Sequence, residues 1–153
     1  MDSFALLESL TRRQLDTFFE AVHAVPADKL DWQPTPKSRS ALDQLQEVAA
    51  VFRSIPETVK NRRLDFTPEM FAQYETDRKK VSDPAELERM TREGTEELLS
   101  FMRTVGENEL TDKVEMPWPG EYKVADVLAY HYWNMAYHEG QIYYISTLLD
   151  GKA

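Results

Sequence analysis

The sequence predicts an all-α protein, a four-helix bundle of antiparallel long helices with a Pro/Gly loop before the last one. Three observations carry this. Apolar residues recur at three- to five-residue intervals over four long segments, the pattern of helices that each bury one face. Glycine occurs only five times in 153 residues, against long runs rich in Leu, Glu, Ala, Arg and Met, which disfavours a many-turned β-sandwich. Prolines and capping residues punctuate the chain between those segments.

The first segment runs from about Ser3 to Ala24, with Phe4, Leu7, Leu10, Leu15, Phe18 and Val22 along one stripe before Pro26. His23 near its end places a favourable charge at a helix C-terminus. The second starts at Ser40 as N-cap and sets Ala41, Leu45, Val48, Val51, Phe52 and Ile55 on one arc up to Pro56, which ends or kinks it. A charged stretch follows, in which Thr67-Pro68-Glu69 can open a short helix carrying Met70, Phe71 and Tyr74. The third has Asp83 as N-cap, Pro84 at its first position and Glu86 at its third, and continues to Val105, with Gly106 offered as C-cap. Pro117-Trp118-Pro119-Gly120 is a turn signal that excludes regular helix. The fourth segment extends from about Lys123 to Leu149. Residues 1–153 read as a single domain, long enough to close a core without disulfides.

The last segment carries the chemical information. In heptads, Val124, His131, His138 and Ile145 fall at position a, and Val127, Asn134, Gln141 and Leu148 at d. The core-facing stripe is therefore apolar at both ends and polar in the middle. A buried imidazole or carboxamide without a partner costs on the order of 1–3 kcal/mol, so partners are expected inside the bundle. Tyr130, Tyr137, Tyr144, Trp133 and Gly140 widen the apolar arc to about 200°, more than one surface helix buries. Either the connecting segment covers this arc or a second subunit does, and a homodimer is favoured. Gly140 inside a helix costs about 1 kcal/mol relative to Ala, which suits a close approach of a neighbouring backbone.

Net charge is −9, and the basic residues cluster only weakly, at Arg62-Arg63 and Arg78-Lys79-Lys80. Phosphate binding needs a lysine and arginine face, so a nucleic-acid partner is not expected. No stretch approaches the roughly 20 apolar residues of a membrane span, and the N-terminus lacks a basic leader with an apolar run. The expectation is a cytoplasmic protein without membrane contact. Cysteine is absent, which removes disulfides, thiolate ligands and a cysteine nucleophile. No nucleophile elbow or phosphate-binding glycine loop is present.

Leu30-Asp31-Trp32-Gln33-Pro34, the helix opening at Ser40-Ala41-Leu42-Asp43-Gln44-Leu45-Gln46-Glu47-Val48, and the tail His138-Glu139-Gly140-Gln141-Ile142 together resemble the DinB/YfiT-like superfamily. The order of long helices agrees over nearly the whole chain. The resemblance implies a four-helix bundle holding a divalent metal on three histidines, one on the second helix and two spaced four apart on the last. That spacing stacks two ligands on one helical face roughly 6 Å apart. It also implies thiol-dependent transferase or isomerase chemistry with a low-molecular-weight thiol such as bacillithiol or mycothiol.

Carried over residue by residue, His138 matches the final ligand, Asn134 stands four positions before it, and Glu47 occupies the second-helix position. Glu47, Asn134 and His138 are the degenerate candidate ligands, for nickel, zinc, iron or manganese bound weakly if at all. Gln44, His131, Gln141 and Trp32 are the candidate pocket-lining residues. His131 lies seven residues from His138, about 10.5 Å along the axis, and reads as a packed, hydrogen-bonded side chain. Two functions stand at this point. One is a metal-free, dimeric small-molecule-binding or interaction module. The other is a divalent-metal-dependent thiol transferase or isomerase.

Overall fold

A computed structural model describes residues 2–150. Helix α1 spans Ser3–His23, started by Asp2, whose carboxylate accepts the Ala5 N–H at 2.7 Å. Helix α2 spans Ala41–Val51 behind the expected Ser40 cap. The chain tightens to a single 3₁₀ turn at Phe52–Ser54 and restarts as α3, Ile55–Asn61. Pro56 sits at the beginning of α3, where its missing N–H is not needed, so it breaks the arc of the second segment without unfolding it. Helix α4, Pro68–Arg78, opens on Thr67 as read from the sequence, and α5, Pro84–Met102, opens on Asp83. Helix α6 runs Val124–Asp150.

Two short features depart from expectation. Gly106 does not cap α5. The helix ends at Met102 with Arg103 as its C-cap, and Gly106 keeps a negative φ while its N–H donates to the Glu109 carboxylate at 2.8 Å, opening a short turn. The Pro/Gly loop is the tip of a small antiparallel hairpin, β1 (Lys113–Val114) against β2 (Tyr122–Lys123). Its turn uses Gly120 at φ +136°, a conformation open to glycine.

Helices α1, α2, α5 and α6 form the bundle, and the direction of two pairs corrects the simple antiparallel expectation. Phe4 and Leu7 pack with Val124 and Leu128, while Phe18 and Val22 share a cluster with Ile142 and Ile145. Gln14 and Thr17 both donate to Glu139 between these ends. Thus α1 and α6 run parallel. Helices α2 and α5 also run parallel, since Gln46 bonds the Val81 carbonyl just ahead of α5 and Phe52 meets Gly94 within it. The physical cause is the crossover of residues 52–83, which carries the chain back along the bundle before α5 begins.

The core has two apolar clusters, one holding Phe18, Leu45, Met135 and Ile142 and the other Ile55, Leu99, Val124 and Leu128. Between them lies a buried polar layer of Gln44, Thr91, Thr95, His131, Asn134 and His138. The polar middle of the α6 stripe is thus inside the bundle.

Candidate functional site

Helices α2 and α6 cross antiparallel at the polar layer, so Gln44 and Glu47, three residues apart on α2, meet Asn134 and His138, four apart on α6. Glu47 Oε1 accepts the Asn134 Nδ2 donor at 3.0 Å and lies 3.1 Å from His138 Nε2. His138 Nδ1 lies 2.8 Å from Gln44 Oε1 and 3.1 Å from Gln141 Oε1. Both ring nitrogens therefore face oxygen acceptors, and a ring carrying both protons donates to every one of them.

The second carboxylate oxygen of Glu47 meets a residue that the sequence did not single out. Arg39 Nη1 donates to Glu47 Oε2 at 2.5 Å, and the same guanidinium holds the Asp43 side chain and backbone carbonyl. Burial by itself would raise the Glu47 carboxyl. Hydrogen bonds from His138, Arg39 and Asn134 and the Arg39 charge outweigh it and hold the group down at about 2. Glu47 is thus a fixed anion with each oxygen hydrogen-bonded. Asp43 links this cluster onward to Arg78, whose buried guanidinium bonds the Asp43 carbonyl at 2.8 Å and pairs with Asp43 and Glu75.

Glu47 also stands at the wall of a cleft of about 1610 Å³ bordered by α2, α4, the hairpin and the first half of α6. Of the residues read from the sequence as pocket-lining, none forms this wall. His131 is wholly buried one turn deeper, with Nε2 donating to Thr95 Oγ1 at 2.9 Å and its ring against Phe52. Gln44 and Gln141 back the His138 ring. Trp32 packs against the core cluster around Phe18 and Leu45. The cleft escaped sequence reading because α4 supplies no apolar stripe of its own. Its buried side chain is a charged one, Arg78.

Two buried acceptors in this layer have no donor, His131 Nδ1 and Asn134 Oδ1. The Thr95 hydroxyl donates to the Thr91 carbonyl, so it accepts from His131, which places the proton of that ring on Nε2. Burial lowers the His131 pKa to about 4, keeping the ring neutral.

Residues 10–142 match the model of the DinB superfamily. No curated protein sequence matches the chain. Among solved structures, YfiT from Bacillus subtilis, described as a probable metal-dependent hydrolase with an unusual four-helix bundle topology, aligns at TM-score 0.78 and 12% identity over 98% of this chain and 90% of that one. A mycothiol-dependent maleylpyruvate isomerase aligns at TM-score 0.73 and 10% identity over 92% of this chain and 61% of that one. The colibactin self-resistance protein ClbS, solved with double-stranded DNA, aligns at TM-score 0.72 and 8% identity over 96% and 97%. At these identities the likeness is one of fold.

Proposed function

This chain belongs to the DinB superfamily, and on that footing we propose that it is a divergent, metal-independent member, a dimeric module that binds a small molecule in the cleft beside Glu47. The observation that carries this reading is the arginine-neutralised carboxylate. Where the resemblance calls for a second-helix histidine, Glu47 accepts from Asn134, His138 and Arg39.

The donor set does not fit a resident divalent ion. It offers one imidazole, one carboxylate and one carboxamide, and the amide presents its N–H side to Glu47. An ion placed among them would break the Asn134 and His138 hydrogen bonds and sit beside a guanidinium 2.5 Å from the same carboxylate. Like charges at such range repel, and a neutral amide replaces imidazole poorly for zinc or nickel. Among the described residues, no group of three or more His, Asp or Glu side chains converges as a metal site.

One observation favours the metal-dependent thiol transferase or isomerase instead. Asn134 Oδ1 is buried without a donor, and exchanging the amide oxygen and nitrogen would turn that oxygen toward Glu47 and His138.

Metal analysis of untagged protein purified without chelator separates the two. The module reading expects nickel, zinc, iron and manganese each far below one equivalent, with no change in melting temperature on adding the ions. Stoichiometric metal that is lost in His138→Ala would overturn the metal-independent reading and support the enzyme reading.

A further inference from the structure

Helix α4 is held to the bundle by ion pairs and leaves its large apolar side chains uncovered. Arg78 anchors it to Asp43, whereas Phe71 is 51% and Met70 48% exposed, both at the cleft wall. Phe66 stacks edge-on with Phe71 and Tyr74 at 5.7 and 6.1 Å. Tyr130 and Trp133 of α6, 5.5 Å apart, add a second aromatic surface, and Trp118 of the hairpin a third. An occupant that covers these rings gains about 25 cal/mol for each Å² of apolar surface removed from water.

The charge of the wall selects among apolar occupants. Four cationic and six acidic side chains line the cleft. Arg39 and Arg78 are committed to Asp43, Glu47 and Glu75, and Lys79 stands 3.8 Å from both Asp43 and Glu75. Arg53, exposed, is the lining arginine outside these pairs among the described residues. Of the remaining acids, Asp77 pairs with Lys80 and Glu121 lies 4.0 Å from Lys113, which leaves Asp126 as the lining carboxylate without a lysine or arginine partner among the described residues, in a protein whose net charge is −9. Aromatic ring faces attract cations as well. The Tyr74 hydroxyl is buried with no hydrogen-bond partner. Burial first, and the Glu47 charge second, push its pKa up, so it stays a neutral phenol whose lone pairs can accept an N–H.

Resting on the binding-module reading above, we propose that the cleft takes a flat organic cation, a protonated aromatic or heteroaromatic amine, with its rings against Phe71 and Trp133 and its N–H directed to Tyr74. Three tricyclic probes of like shape test it: aminoacridine as the cation, acridone as the neutral form and acridine carboxylate as the anion. Each is titrated into the full chain and followed by probe fluorescence. Aminoacridine is expected to bind about tenfold tighter than acridine carboxylate, the scale of a desolvated cation–π contact. Phe71→Ala, at an exposed position, and Tyr74→Phe are each expected to weaken aminoacridine while leaving the melting temperature near that of the parent. Equal or tighter binding of acridine carboxylate overturns the charge assignment, and so does the failure of all three probes to bind. Either result is distinct from failure of the module reading, which shows as stoichiometric metal.

Discussion

His131 shows what a single side chain contributes to the polar layer. Its ordinary pKa of 6.5 falls to about 4 in the folded protein because burial disfavours the charged ring. As pH falls the unfolded chain takes up this proton first. The stability owed to the neutral ring is therefore complete above about 6.5 and drains away down to about 4, a loss on the order of 3 kcal/mol. Melting temperature against pH should slope over that window in the parent and flatten in His131→Leu, whereas an unchanged slope would contradict the neutral buried ring. Glu47 works lower, between 4.5 and about 2, because its folded value is depressed and its contribution is lost only as pH falls through that range. The burial of His131, Asn134 and His138 was legible in the heptads, since a polar residue on an apolar stripe must go inside. Arg39 was not, because it precedes α2 and belongs to no helical period.

At the scale of elements, caps and stripes were the legible part. Ser40, Thr67 and Asp83 each accept the N–H that their sequence positions promised. Direction was not legible, because amphipathic spacing says which face of a helix is buried and nothing of which way its neighbour runs. The parallel pairs follow from the long crossover, and Gly94 marks where that crossover is tight. A Cβ built there meets the Phe52 ring head on, so α5 approaches the 3₁₀ turn after α2 through a glycine. Gly94→Ala should destabilise by about 1–3 kcal/mol in chemical denaturation, since a buried ring has little room to give. A neutral outcome would mean that Phe52 can leave its seat beside His131.

For the whole molecule, the outer face of α6 is the feature that one chain leaves unfinished. Tyr137 and Tyr144 are each more than half exposed, and a Cβ at Gly140 would meet no described residue within 4 Å. Among the described residues, no connecting segment covers these two rings and nothing outside its own helix turn approaches Gly140. We propose a second copy as its partner, which makes the module a dimer. Light scattering should give a dimer at micromolar concentration and a monomer for Tyr144→Arg; a monomeric parent would contradict the proposal. No helix among the described residues is long and apolar enough to cross a membrane.

On the proposed reading Glu47, neutralised by Arg39, stands where the resemblance puts a histidine ligand and keeps the site closed to ions. Calorimetric titration of nickel into the parent and into the double variant Glu47→His/Asn134→His tests it most directly. The variant restores three imidazoles on the same two helices and is expected to bind one ion, while the parent shows no heat above dilution. Tight one-to-one binding by the parent would contradict the account.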